Sequence, residues 1–153
     1  MTKSSPVENR SSRQAHRLLQ AGVALFLCAL LVGLAIPAFK LPRVGLSTHL
    51  LGIMQGMFLM ILGLLWPRLK LGPATSWAGF WLLLYGCLAA WTANLLAGIL
   101  GAGNSLLPIA AGSARGTPFQ EMLIGLELRS AAVALIVAVV IVLWGLRSPA
   151  GAS

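Results

Sequence analysis

Aspartate is absent from this chain of 153 residues, and three acidic residues in all stand against 11 lysines and arginines. Only 9% of the residues are charged, compared with about 25% in a typical soluble domain. A chain this poor in charge cannot cover a water-exposed surface of its own. The scarcity of carboxylates also argues against hydrolysis by paired acids, and the sequence contains no phosphate-binding loop, Ser-His-Asp set or HExxH motif.

Cysteine is scarce as well, because Cys28 and Cys87 are the only two. Each lies inside an apolar run, where it packs like a small apolar residue, and no cysteine-histidine framework for zinc is present. The net charge of +8 would suggest nucleic acid in a soluble protein. Here the basic residues lie mainly in the N-terminal segment and at the ends of apolar runs, which is typical of membrane proteins. We therefore predict no nucleic-acid partner.

Long apolar runs make up most of the chain, which is 58% hydrophobic. Each of four runs approaches or exceeds the ~20 residues that a helix needs to cross a bilayer, and none alternates as the strands of a β-barrel do. The sequence therefore predicts an all-α fold, an integral membrane bundle of four transmembrane helices in the lipid bilayer. The predicted spans are Leu18–Ile36, Leu46–Trp66, Trp77–Leu100 and Phe119–Leu146.

The segments outside these spans set the domain boundaries and the orientation. Residues 1–14 are predicted to form a disordered cytoplasmic tail, residues 15–147 the transmembrane domain, and residues 148–153 a short C-terminal tail. Seven basic residues outside the spans lie on the side of the termini and three on the other side. By the positive-inside rule, both termini are predicted to be cytoplasmic.

The longest connection, residues 101–118, contains the apolar stretch Leu106–Ala111. Apolar irregular backbone near a membrane packs back onto the protein or dips into the interface. We expect this stretch to pack against the helix ends and cover the functional site, and a plain interfacial connector is the alternative.

Polar residues inside the spans are costly and therefore the most informative positions. His49 in the second span fits either a hydrogen bond between helices or a metal ligand. Gly52 and Gly56 follow on the same stripe of the helix, which suits either close helix packing or a flat macrocycle such as haem. Gln55 lies about 240° around the helix from His49 and faces another side.

The third and fourth spans carry further polar groups. Tyr85 and Asn94 lie on different stripes of the third span, so both faces of that helix are partly polar. Glu127 and Arg129 point to different faces of the fourth span, where an intramembrane charge is paired or lines a wet cavity. An ion pair between helices or subunits and a role in proton handling are both open for them.

An ordered set of motifs resembles the hydroxylaminobenzene mutase family across roughly residues 16–147. These mutases are similar in turn, more distantly, to styrene oxide isomerases, a likeness that here rests on His49 and an amide residue six positions later. The isomerases have Asn at the position of Gln55, a carboxylate near Tyr85 and a tyrosine near Asn94, and these departures favour the mutase branch. The motifs are LSTHLLG at 46–52, QG at 55–56, LGLLWP at 62–67, FWLLLYG at 80–86, Trp91, GAG at 101–103, PIAA at 108–111, Gln120-Glu121 and LWGLR at 143–147.

The resemblance implies a membrane isomerase that rearranges arylhydroxylamines such as hydroxylaminobenzene to 2-aminophenols, with a small aromatic substrate. It further implies haem b with His49 as the axial ligand to the iron and Gly52 and Gly56 beside the macrocycle, in a homo-oligomer, namely a trimer. Iron would serve as a Lewis acid, while Gln55, Tyr85 and Asn94 would be the catalytic residues that orient the substrate.

Two other functions compete with this interpretation. An epoxide isomerase of the styrene oxide isomerase type is the first, and a non-catalytic four-helix membrane protein is the second. The resemblance also places the chain in the bacterial cytoplasmic membrane as a multi-pass protein.

Overall fold

The computed structural model describes residues 6–104, 109, 112–113 and 115–147, with side chains from residue 10 onward. This part of the chain is helical and contains no strand, and each of its four long helices is long and apolar enough to cross a membrane. The predicted fold class is therefore confirmed. The helices are α1 (Pro6–Ala35), α2 (Pro42–Leu65), α3 (Pro73–Leu100) and α4 (Pro118–Gly145).

Three of these helices, α2, α3 and α4, begin at a proline. Proline suits the first helical position because its fixed φ is already helical and its missing N–H would have no partner there. The helices α2 and α3 therefore start four residues before the predicted spans, which were placed by hydropathy alone. At the start of α4, Thr117 and Gln120 form a reciprocal capping box, in which each side chain accepts from the other residue's backbone N–H.

The helix α1 begins well before its predicted span and includes residues 6–14 of the segment that was predicted to be a disordered tail. Residues 6–14 are helical, and Gln14 is buried. Its Oε1 atom accepts hydrogen bonds from Trp66 Nε1 at 3.1 Å and from Ser76 Oγ at 2.8 Å. Trp66 lies just after α2, and Ser76 lies in the first turn of α3. The amide of Gln14 therefore links α1 to both of these helices, and its hydrogen bonds stabilise the early turns of α1. Residues 1–5 and 148–153 lie outside the described residues.

The helices pair as two hairpins, α1 with α2 and α3 with α4, which are joined through α2 and α3. Glycines allow the backbones to approach closely, as is common between membrane helices. A Cβ added to Gly56 would lie 2.8 Å from the carbonyl oxygen of Gly22 on α1, and one added to Gly86 would lie 2.6 Å from Leu135 Cγ on α4. The larger of the two cores, around Trp66, Leu59 and Leu83, lies in the half of the bundle that contains the termini.

Both termini of the described chain lie at the same end of the bundle, as four spans require. Gln14 in α1 bonds to the start of α3, and the backbone N–H of Lys70 donates to the carbonyl of Gly145 at the end of α4 at 2.9 Å. The stretch Leu106–Ala111, predicted to cover the functional site, lies outside the described residues except for Ile109, whose side chain is 91% exposed. Large apolar side chains cover the outside of all four helices, as a lipid-facing surface requires.

Candidate active site

His49 on α2 is tied to α1 by a hydrogen bond. Its Nδ1 atom lies 2.7 Å from the carbonyl oxygen of Ala29, and because a carbonyl only accepts, Nδ1 must carry the hydrogen. In a neutral imidazole the lone pair is then on Nε2, which forms no hydrogen bond with any described residue. Metal-ligating histidines are commonly oriented in this way, with one ring nitrogen donating to a carbonyl and the other left for the metal.

Gly33 on α1 makes room for the His49 ring. A Cβ at Gly33 would lie 2.6 Å from Nδ1 and 2.7 Å from Cε1 of the imidazole, so any other residue would displace the ring. Sequence reasoning missed Gly33, because its role depends on the bond between His49 and Ala29, one helical turn before it on the same face of α1.

Gly52 and Gly56, predicted to lie beside a macrocycle, instead face protein. A Cβ at Gly52 would lie 2.5 Å from Trp91 Nε1 and 2.6 Å from Ala29 Cβ, while one at Gly56 would meet the backbone of Gly22 and Phe26. The close-packing alternative accounts for both glycines, and this stripe of α2 offers no open face within the chain. Of the predicted cofactor residues, only His49 keeps a free ligating atom.

Gln55 lies inside the bundle, with only 8% of its surface exposed, and its Oε1 atom is buried without a hydrogen-bond partner among the described residues. The same is true of the indole Nε1 atom of Trp91 on α3. In the sequence, Trp91 was noted only as one of the motifs that carry the family resemblance, without a role of its own. Such unsatisfied buried groups are rare, and they often mark a functional site.

Asn94 follows Trp91 by three residues, and only 5% of its surface is exposed. Its Nδ2 atom donates to the carbonyl of Ala90 at 2.9 Å within its own helix, which fixes the side chain and leaves a second N–H on the same nitrogen. His49 and Trp91 therefore belong to the part of the bundle where α1, α2 and α3 meet, and Gln55 and Asn94 are buried on α2 and α3.

Tyr85 is not part of that group, because it faces α4. Its hydroxyl lies 2.7 Å from Ser130 Oγ, and 49% of the residue is exposed. On the same side of α3, Thr92 Oγ1 donates to Glu127 Oε1 at 2.7 Å. The partner of Glu127 on another helix is thus a hydroxyl group, whereas Arg129 is exposed and has no ion pair or hydrogen bond with any described residue.

Glu121, in the first turn of α4, forms hydrogen bonds with residues at both ends of the longest loop. Its Oε1 atom accepts from the backbone N–H groups of Gly103, Asn104 and Gly116 at 2.9, 3.3 and 3.0 Å. An open cavity of about 330 Å³ beside it is lined by Asn104, Arg115, Gly116, Pro118 and Glu121. In the sequence, Glu121 was noted only as part of the motif Gln120-Glu121 that carries the family resemblance.

The side chains also restrict how a metal could be held. No three residues among His, Cys, Asp and Glu cluster as a metal site in the described part of the chain. A single histidine is nevertheless sufficient for haem, whose iron takes four ligands from the macrocycle and one from the protein. His49, with Nδ1 occupied by Ala29 and Nε2 available, fits that requirement.

Comparison with known proteins identifies the family of the chain. The profile of the family described as styrene oxide isomerase matches residues 14–147, which include nearly all of the four helices. Two hydroxylaminobenzene mutases of Ectopseudomonas oleovorans are close relatives. HabB is 52% identical over 134 residues, covering 88% of this chain and 82% of its own, and HabA is 45% identical over 129 residues, covering 84% and 96%.

No solved structure gives a significant match. The family profile and both mutases span the helices that carry His49, Gln55, Tyr85, Trp91 and Asn94. Both comparisons lead to isomerases, so the non-catalytic alternative is set aside. The chain therefore belongs to the family of the hydroxylaminobenzene mutases and styrene oxide isomerases, and it is a multi-pass membrane isomerase.

Proposed function

We propose that this protein rearranges arylhydroxylamines, such as hydroxylaminobenzene, to 2-aminophenols inside the membrane. The observation that carries the proposal is the 52% identity to a hydroxylaminobenzene mutase along nearly the whole chain. A small aromatic substrate partitions into lipid, where helices such as these can take it up directly from the bilayer. In the reaction the N–O bond breaks, a C–O bond forms at the ortho carbon, and the displaced ring proton goes to nitrogen, so there is no net oxidation or reduction.

The chain contributes a dry interior and a few fixed polar groups. An aryl intermediate that is poor in electrons reacts with water unless the site excludes it, and the buried region between α2 and α3 provides that exclusion. Gln55 and Asn94 each offer amide hydrogens that can stabilise the departing oxygen, and both side chains are more than nine-tenths buried. We assign the two amides the role of orienting the hydroxylamine.

Haem b is proposed as the cofactor, with His49 Nε2 as the ligand that the protein supplies. The hydrogen bond from Nδ1 to Ala29 supports this assignment because it fixes the required tautomer. When bound, haem would supply a Lewis acid. Since Gly52 and Gly56 face α1 and Trp91, the macrocycle is held by His49 and not by these glycines.

Tyr85 is assigned to the same reaction through a homo-oligomer, which we propose to be a trimer. Its hydroxyl lies on the outer side of α3 beside α4, half exposed, so a substrate meets it only at the surface of the chain. A neighbouring copy that covers this surface would enclose Tyr85. We also propose that the assembly lies in the bacterial cytoplasmic membrane with both termini in the cytoplasm, as the distribution of basic residues favours.

A second candidate, isomerisation of epoxides, is favoured by the match to the styrene oxide isomerase profile. Product analysis decides between the two: purified protein in detergent or vesicles is given phenylhydroxylamine and styrene oxide in parallel. We expect 2-aminophenol from the first and no aldehyde from the second. Aldehyde without aminophenol would replace the first proposal by the second.

A further inference from the structure

Two polar atoms without partners are buried on facing helices, one on α2 and one on α3. Gln55 Oε1 and Trp91 Nε1 are the two buried side-chain nitrogen or oxygen atoms that lack a hydrogen bond within the described residues. A Cβ at Gly52 would lie 2.5 Å from the indole nitrogen, and Gln55 follows Gly52 by one helical turn. The indole nitrogen of Trp91 thus lies against α2 one helical turn from the position of Gln55.

These two atoms have complementary chemistry. An indole N–H can only donate, and a carboxamide oxygen can only accept. Each loses free energy when it is buried without a partner, so a group that satisfies both atoms is bound favourably. That group must accept one hydrogen bond and donate another, which a neutral hydroxyl does and a carboxylate or a hydrocarbon does not.

We propose that Trp91 and Gln55 form a binding site for one neutral hydroxyl group, whose oxygen accepts from Trp91 Nε1–H and whose hydrogen is donated to Gln55 Oε1. The hydroxyl has two possible sources, the N–OH group of the substrate or a bound water molecule. The first source rests on the proposed mutase function, and it makes Trp91 a catalytic residue that holds the oxygen of the bond to be broken. The second source makes the pair a fixed water site inside the bundle.

Indole resonances in a ¹H–¹⁵N spectrum report on this hydrogen bond directly. The chain has five tryptophans, so the signal lost in Trp91→Phe identifies Trp91. The labelled protein is titrated with phenol, which carries a hydroxyl group but undergoes no rearrangement, and with toluene, in which a methyl group replaces that hydroxyl. We expect phenol to shift the Trp91 signal and toluene to leave it in place. Gln55→Leu should weaken phenol binding about tenfold.

The outcome of the titration distinguishes the two sources of the hydroxyl group. A shift with phenol alone establishes the substrate hydroxyl as the source, while an unmoved signal with a cross-peak to water establishes the water. A Trp91 signal that shows neither overturns the site. Because phenol binding needs no turnover, this result is separate from the outcome of the mutase assay, and the titration of the unmodified protein holds even if a variant fails to fold.

Kinetics give an independent measurement if the mutase assay succeeds. Trp91→Phe keeps an aromatic ring but removes the donor, so KM for phenylhydroxylamine should rise about tenfold if the bond is made equally in the ground and transition states. Trp144→Phe is the matched control, since Trp144 is 60% exposed at the end of α4. Unchanged kinetics in Trp91→Phe would contradict binding of the substrate hydroxyl by Trp91.

Discussion

At the scale of single residues, the sequence was most informative where a polar group lies inside an apolar run. It singled out His49, Gln55 and Asn94; in the structure His49 bonds to α1, and Gln55 and Asn94 are buried. It could not find Gly33 or the unpaired indole of Trp91, because their meaning comes from a residue on another helix. Nor could it choose between haem and close packing for Gly52, a choice that depends on what α1 and Trp91 place there.

The proposed ligand role of His49 predicts a specific loss. In His49→Ala the iron loses its protein ligand, so the Soret absorbance per subunit and the formation of aminophenol should both fall to background. A hydrogen bond between membrane helices is worth only about 1 kcal/mol, so a mere packing contact would leave both almost unchanged. His16→Ala is the matched control, since His16 is exposed near the start of α1. Retained absorbance and activity in His49→Ala would reject this ligand.

Gly33 should affect turnover only through the orientation of the His49 ring. Gly33→Ala places a Cβ 2.6 Å from the imidazole, so the ring must turn away and lose its bond to Ala29. We expect a drop in turnover of about 10–100-fold, the usual effect of losing the partner that orients a metal ligand. Gly72→Ala is the control, because nothing lies within 4 Å of a Cβ there. Equal activity in the two variants would show that the orientation of His49 is unimportant.

At the scale of helices, hydropathy located all four elements but misplaced several of their ends. The ends depend on local chemistry. Proline starts α2, α3 and α4, and short 3₁₀ turns at Ile36–Ala38 and Trp66–Arg68 end the α-helical part of α1 and α2. The early start of α1 depends instead on Gln14, which contacts residues more than 50 positions away. Composition indicated a polar tail because it cannot reveal a partner so distant in sequence.

The bonds of Gln14 predict a contribution to stability. Gln14→Ala leaves the indole N–H of Trp66, a buried residue, without its acceptor, which should lower the free energy of unfolding by about 1–3 kcal/mol. Thermal unfolding followed by circular dichroism in detergent measures this loss as a lower Tm. Gln20→Ala, on an exposed position of the same helix, should leave Tm unchanged. A Tm for Gln14→Ala equal to that of Gln20→Ala would mean that water replaces the amide at no cost.

At the scale of the whole molecule, the pairing of the four described helices leaves most of the surface of α4 uncovered by the rest of the chain. The backbone of α4 lies next to α3 alone among the helices, so most of its surface faces outward. Sequence patterns gave the number of spans but not this pairing, because all four helices are apolar on nearly every face. The polar groups between α3 and α4, among them Tyr85 and Glu127, therefore lie close to the outer surface.

Arg129 provides the test of the proposed oligomer. It lies 11 residues after the start of α4, which is about 17 Å along the helix axis, and its side chain is exposed. An arginine facing lipid at that depth costs about 2.5–3.5 kcal/mol, a penalty that a neighbouring copy relieves by covering it with polar groups. In mild detergent we expect the protein to have three times the 16.1 kDa mass of the chain, and Arg129→Leu to shift it toward the monomer.

Arg147→Leu is the matched control for that shift. Arg147 stacks on Trp144 of its own chain, with its guanidinium carbon 4.2 Å from the ring centre, and it lies just beyond the end of α4. Its replacement removes a charge at the membrane interface and no contact at mid-depth, so the trimer should persist. A monomeric wild-type protein would contradict the oligomer, whereas a trimer in Arg129→Leu as stable as in Arg147→Leu would place the interface away from α4.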